Sequence, residues 1–292
     1  TWFRAEARRL YWPKLTPELK AEIEGIAEGA ELPVDDILAL NAHIELEGSY
    51  LPFLKGKAST RLACSAFVAT GSHTRDGKPV MGHNFWWGWR TGVKFAAILD
   101  VRPEKGHRFV MIAMPGFVHS GTDWAVTAAG LAVCETTIGN FRGYDPDGVP
   151  EFARMRLATQ YADSIDDWVA RMRDGNNGGY ANAWLLFDAN SGEIAKLELG
   201  LKYTPLSRTK DGAYYGANFP EDPRILAEET VNWDPDPRTN GCEARRVRWG
   251  QLLSGAKGRI DADLAKAFLA DTVDGVTGRK GASDRTLCGR SG

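Results

Sequence analysis

The chain has little of what would place a protein quickly. Its cysteines number four, at positions 64, 134, 242 and 288, and no two form a C-x-x-C pair. That spacing excludes a zinc or iron–sulfur signature and a disulfide framework, and leaves room for a single bridge. No window of 18 uncharged apolar residues occurs, so no integral membrane segment is expected. The formal charge is only −2, which gives no global attraction to nucleic acid or acidic membranes. There is no P-loop, dinucleotide fingerprint or metal-spaced histidine pair, so neither a cofactor nor a metal is expected. Internal repeats and low-complexity tracts are absent too. The chain begins at Thr1 with no visible signal peptide. Either a leader was removed, which suits a secreted, periplasmic or lysosome-like protein, or the chain was trimmed and a cytoplasmic location stays open.

What is present suits a folded protein with a sizeable core, 43% apolar and 25% charged. Ten tryptophans and 32 glycines are high counts. Extra aromatic surface favours a pocket for an apolar or sugar-like ligand, although core packing absorbs aromatics equally well.

The first 60 or so residues read as helical. Thr16-Pro17 pairs an N-cap with a first-turn proline, ahead of Leu19, Ile23, Ile26, Ala27 and Ala30 at helical spacing. Pro33 restarts a helix carrying Ile37, Leu38, Leu40, Ile44 and Leu46, and Gly48 to Thr60 reads as an exposed, cuttable loop. From Cys64 the period changes. Strands are expected near 64–71, 79–85, 93–102, 107–114, 123–127 and 131–138, then helices near 150–162 and 164–174. Strands near 181–188 and 193–200 flank the turn Ala189-Asn190-Ser191-Gly192, and another lies near 213–218. Helices near 221–230, 241–254 and 262–272 complete the chain. This order suggests an α+β protein with two mostly antiparallel sheets between helical layers.

Cys64 carries the most information. A bare cysteine is most often a small buried hydrophobe. This one follows an exposed loop and opens a strand-like run, Cys64-Ser65-Ala66-Phe67-Val68-Ala69-Thr70. The turn Arg75-Asp76-Gly77-Lys78 leads to a partner strand ending Gly82-His83-Asn84-Phe85-Trp86-Trp87. A thiol at the mouth of a hairpin, beside a polar and aromatic strand end, suits a nucleophile. If the chain is cut before it, the new α-amine, with pKa about 8, becomes its base.

Three segments resemble the N-terminal-nucleophile hydrolases of the acyltransferase and phospholipase B-like kind. They are the helical lead-in with Glu24-Gly25-Ile26-Ala27-Glu28-Gly29-Ala30 and Leu38-Ala39-Leu40-Asn41, the Cys64-Ser65-Ala66 hairpin reaching Trp86, and Tyr180-Ala181-Asn182-Ala183-Trp184 ahead of Phe187-Asp188. Together they cover roughly residues 18–255. The resemblance implies an αββα sandwich and a cut between Ala63 and Cys64. Residues 1–63 would then be a helical pro-segment and 64–292 the catalytic domain. It implies hydrolysis of a linear amide in a small-molecule acyl substrate through a Cys64 thioester. A phospholipase B-like lipid acyl hydrolase and a catalytically silent ligand-binding member are the alternatives, and homo-oligomerisation is left open.

Residue by residue, Cys64 matches the nucleophile and Asn182 the side-chain oxyanion donor, against a plain reading as a turn residue before a buried strand. Arg245, in Glu243-Ala244-Arg245-Arg246-Val247-Arg248, matches an arginine that holds the polar network and lowers the thiol pKa. The plain reading of that run is a solvated basic face. Two branches place an aspartate two residues after the asparagine of the second strand, where this chain has Trp86; Gly-His-Asn-x-Trp fits the phospholipase B-like branch. His83 then replaces charged groups used elsewhere, by stabilising the thiolate or shuttling a proton, or is only hydrogen-bonded at a sheet end. Asn84, Trp86, Trp87 and Thr137 are the expected substrate-binding residues. Strand alternation would put Trp87 and Trp89 on one face and Trp86 on the other. The resemblance also implies further strands beyond the segment around Cys288. His119-Ser120-Gly121 is not a serine-hydrolase elbow, because Val118 stands where a glycine belongs.

Overall fold

A computed structural model describes residues 1–59, 64–121 and 124–289. Helices open the chain: α1 (Trp2–Leu10), α2 (Pro17–Gly29), α3 (Val34–Glu45) and the short α4 (Leu51–Leu54). The Thr16 hydroxyl caps α2 by accepting from the Leu19 amide at 3.3 Å. The hairpin follows as β1 (Ser65–Gly71) and β2 (Gly77–Asn84), then α5 (Trp89–Phe95). Four strands come next, β3 (Ala97–Val101), β4 (Phe109–Ala113), β5 (Trp124–Thr127) and β6 (Leu131–Thr137). After α6 (Glu151–Tyr161) and α7 (Ile165–Arg173) come β7 (Asn182–Asp188), β8 (Glu193–Leu199), β9 (Leu206–Thr209) and β10 (Gly212–Gly216). Helices α8 (Gly241–Gly255) and α9 (Ala262–Leu269) follow, capped by Asn240 and Asp261.

The strands form two antiparallel sheets, one of three in the order β10-β1-β2 and one of seven running β3 through β9 in sequence. Strand β1 explains the layering. It is apolar at successive positions because both of its faces are covered. Phe67 and Ala69 pack outward with Trp249 and Leu253 of α8 and Phe268 of α9. Ala66 and Val68 point inward against Cys134, Leu185 and Ile194 of the large sheet. The other face of that sheet, with Val133, Trp184, Leu186 and Leu197, buries Met155 and Ala158 of α6 and Trp168, Val169 and Met172 of α7. The N-terminal helices lie outside this layer, where Leu19, Ile23, Leu38 and Ala42 meet Phe152 and Ala153. Helix, sheet, sheet, helix is the expected αββα arrangement. Gly82 lets the layers close: a Cβ there would lie 2.7 Å from the Phe67 ring.

Several local expectations need correction. The strand expected over 93–102 starts only at Ala97, and Trp89–Phe95 is helical. Here the chain crosses from the small sheet to the large one, and a helical turn satisfies its own backbone, with Gly92 N donating to Gly88 O at 2.9 Å. The loop expected over 48–60 is partly helical, through a π-type turn at Leu46–Tyr50 and α4. The helix expected over 221–230 shrinks to a π-type turn, Ile225–Glu229. Strand β9 was not expected; its alternation is too short to stand out. The four cysteines are thiols, so the one bridge the sequence allows is not made.

Candidate active site

The hairpin register places the first site residues. Ser65 pairs with Asn84 and Ala66 with His83, so Cys64 and the end of β2 meet at one mouth of the sandwich. The backbone of Cys64 has φ +103°, a conformation that costs a non-glycine residue of order 1–3 kcal/mol. Ala63, on the other side of the expected cut, lies outside the described residues.

Cys64 is fully buried, but not among hydrocarbon alone. Its Sγ lies 3.7 Å from Oε1 of Glu135, which also accepts from the Tyr180 hydroxyl at 3.1 Å. Cys64, His83 and Glu135 each offer one ligand-type atom within 4.8 Å of the others. Burial pushes the Glu135 carboxyl up to about 8, so at neutral pH it is mostly the neutral acid. Burial pushes His83 down to about 4, against a hydrogen bond to the Glu135 backbone that acts the other way. Its Nε2 and the Glu135 Oε2 have no hydrogen-bond partner among the described residues.

Arg245 of α8 comes to the same place from the opposite side. Its guanidinium is buried and donates to the Cys64 carbonyl at 2.6 Å, the Ser65 hydroxyl at 3.2 Å and the Asn218 amide oxygen at 3.0 Å. Asn218 in turn donates to the Thr137 carbonyl at 2.8 Å. The guanidinium carbon sits 4.8 Å from the centre of the Trp86 ring. Gly289 packs so tightly on that ring that no side chain would fit. The neighbouring cations are engaged elsewhere: Arg246 lies over Phe219, and Arg248 pairs with Asp271 at 2.5 Å.

Thr137 and Asn182 are cross-strand partners in β6 and β7. Thr137 follows Glu135 by two residues, so all three share one face of the large sheet. Asn182 is fully buried, and neither atom of its amide has a partner among the described residues. Such an amide is costly unless something else fills the place of a partner.

Two cavities flank the cluster. One of about 300 Å³ is lined by Ser49, Ser59, Thr137 and Tyr180 among others. The other, of about 590 Å³, is lined by His83, Asn84, Phe85, Trp87, Val93, Ile112 and Trp124. Phe85 and Trp87 stack with ring centres 5.3 Å apart. Asn84 lines this cavity, but its amide nitrogen is committed to the carbonyls of Leu269 and Leu287 at 2.7 and 3.1 Å. The alternation expected for Trp86, Trp87 and Trp89 does not apply, because β2 ends at Asn84 and Trp89 opens α5. Ser120 has a structural place, donating to the Ile112 carbonyl at 2.7 Å and accepting from the Trp124 amide at 3.0 Å. Glu135, Tyr180 and Asn218 were not singled out from sequence. Only Glu135 carried a signal, a carboxylate inside an otherwise uncharged strand.

The sequence profile of the phospholipase B family matches residues 26–205. An uncharacterized protein of Archaeoglobus fulgidus is 29% identical over 172 residues, 55% of this chain and 28% of that protein. Phospholipase B-like protein G of Dictyostelium discoideum is 37% identical over 79 residues, 25% of this chain and 13% of that protein. The chain thus spans well under a third of the length of these relatives. Among solved structures, a mutant conjugated bile acid hydrolase from Clostridium perfringens aligns at 12% identity over 73% of this chain and 80% of its own, with TM-score 0.46. With more than half of its length matched to the family profile, the chain belongs to the phospholipase B family.

Proposed function

We propose that the chain is an autoprocessing cysteine N-terminal-nucleophile hydrolase that cleaves the linear amide of an N-acyl compound. The observation that carries this reading is the Cys64 thiol held 3.7 Å from a buried carboxyl at a strained residue. In the first step the Glu135 carboxylate takes the thiol proton, and the sulfur attacks the Ala63 carbonyl carbon. The Ala63–Cys64 C–N bond breaks, the Cys64 nitrogen takes a proton, and a thioester remains. Water hydrolyses it, releasing the Ala63 carboxylate and the Cys64 thiol. The freed α-amine then serves as base in turnover. The thiol attacks the substrate acyl carbon, the Asn182 amide nitrogen donates to the oxyanion, the amine leaves protonated, and water resolves the acyl-enzyme. Arg245 holds the Cys64 carbonyl and so fixes the nucleophile from behind.

Residues 1–63 act as a pro-segment that stays attached after the cut. The buried Glu45 carboxylate supports this. It accepts from the hydroxyls of Tyr11 and Tyr144 at 3.0 and 3.2 Å, from the Glu151 amide at 2.8 Å, and from the Asn177 amide.

A second reading, lipid acyl hydrolysis, is favoured by the apolar and aromatic lining of the larger cavity, which suits a hydrocarbon acyl group. Intact mass after incubation at neutral pH tests the proposal. We expect two chains, residues 1–63 and 64–292, and a single uncut chain for Cys64→Ala. An unchanged single mass in the unaltered protein overturns autoprocessing and favours a silent, ligand-binding member. Release assays on matched N-acyl amides and acyl esters then decide between the two substrate classes.

A further inference from the structure

We propose that Cys64, His83 and Glu135 form a binding site for a divalent cation of the zinc class, and that its occupancy silences the cysteine as a nucleophile. The silencing half rests on the hydrolase reading above; the binding half does not.

One sulfur, one imidazole nitrogen and one carboxylate oxygen lie within 4.8 Å of one another. Zinc bonds of about 2.3 Å to sulfur and about 2.1 Å to oxygen, at a tetrahedral angle, put those two ligands about 3.6 Å apart. The observed Sγ to Oε1 separation is 3.7 Å. The remaining ligand position also fits. The His83 ring is hydrogen-bonded to the Glu135 backbone, and Nε2 is the nitrogen left without a partner. Holding one ring nitrogen on a backbone group while the other faces the metal is the usual support of a histidine ligand. Glu135 is fully buried and its Oε2 also lacks a partner among the described residues. These unsatisfied buried atoms point to an occupant, independently of the ligand spacing.

Charge and ligand type narrow the choice. A thiolate and a carboxylate carry two negative charges, which a dication neutralises where burial would otherwise make them costly. Arg245 directs its hydrogen bonds to the Cys64 carbonyl and neighbouring polar groups. Mixed sulfur, nitrogen and oxygen donors suit zinc or cobalt, whereas magnesium and calcium require oxygen ligands. Three protein ligands leave a fourth position for water. Binding replaces the S–H bond of Cys64 and the O–H bond of the Glu135 acid by bonds to the metal and releases both protons to solvent. The sulfur pair that would attack a carbonyl is then committed to the metal.

Cobalt(II) titration of the full chain, with a non-thiol reductant, tests binding without reference to activity. We expect a thiolate-to-cobalt charge-transfer band that saturates at one metal per chain, disappears on adding zinc and survives magnesium. It should be lost in Cys64→Ser and weaken by about tenfold or more in His83→Gln. Absence of a saturable band, or its survival in Cys64→Ser, overturns the site. Because either variant could misfold, the unaltered chain supplies a second measurement: zinc should slow alkylation of Cys64, mapped by peptide mass. Unchanged Cys64 labelling at saturating zinc also overturns the site. Zinc that binds but leaves self-cleavage and acyl turnover unaffected overturns the silencing. A metal-free chain that binds cobalt at Cys64 yet never cuts itself or turns over substrate supports the site and defeats the hydrolase reading.

Discussion

At the residue scale, Glu135 is the acid that the Cys64 thiol meets, Sγ to Oε1 at 3.7 Å. Its carboxyl, pushed up to about 8 by burial, is raised above its ordinary 4.5. It therefore contributes stability that is fully present below pH 4.5 and is lost as pH rises through 8. His83 is lowered from 6.5 to about 4, so its contribution is present above 6.5 and lost as pH falls through 4. Between pH 6.5 and 8 only Glu135 of the two changes the balance. Denaturant unfolding should show the chain losing stability across that interval, and Glu135→Gln should flatten the loss; equal slopes in both proteins would contradict the assignment. In the proposed self-cleavage the same ionisation creates the base, so the processing rate should climb from pH 6.5 toward 8.5, as followed by timed gel samples, about as the carboxylate fraction does. Asn182→Ala should lower kcat by about a hundredfold or more with a smaller change in KM, because the lost donor acts on the transition state. Cysteine, asparagine and histidine stood out in the sequence as candidates because each stands beside a turn or strand end. Glu135 was not, because a lone carboxylate in a strand ordinarily faces water, and only the packed sandwich shows that both faces are covered.

At the element scale, α8 shows what periodicity leaves undecided. Arginines at 245, 246 and 248 all sit on one helix, and the sequence alone does not say which turns inward. The fold separates them by what each meets: a carbonyl, hydroxyl and amide for Arg245, an aromatic face for Arg246, a carboxylate for Arg248. The indole of Trp86 occupies the position that the resemblance gives to an aspartate in two other branches, and attracts the guanidinium by its π-face. Replacing Arg245 by Leu should cost about 3 kcal/mol in denaturant unfolding, since buried acceptors at Cys64, Ser65 and Asn218 lose their donor. Arg248→Leu, at a partly buried helix position whose guanidinium pairs with Asp271 and Gln251, should cost less. If the two variants unfold alike, the buried network matters less than its geometry suggests. Helix α5 is the converse case. Its tryptophan, threonine, valine and phenylalanine favour a strand locally, and the crossing between sheets overrides that preference.

At the scale of the whole molecule, the four layers were readable because alternation, helical spacing and turn residues agree along most of the chain. The strand count of each sheet was not, because pairing depends on contacts far apart in sequence, such as β1 with β10. The tie between the first 63 residues and the rest was equally hidden. It runs through Glu45, whose buried carboxylate gathers partners from Tyr11 just past α1, from the segment before α6 and from the segment before β7. Glu45→Ala should destabilise the fold by about 3 kcal/mol or more, and after the cut its two pieces should part on size exclusion where those of the parent chain co-migrate. The grip of Arg245 bears on what happens at that moment. The oxygen it grasps is on the downstream side of Cys64, and the peptide bond that the proposal cuts is on the upstream side. In the proposed cut the new terminus would therefore stay moored by its own carbonyl. On that proposal the sulfur would keep its station while the residue passes from substrate to catalyst.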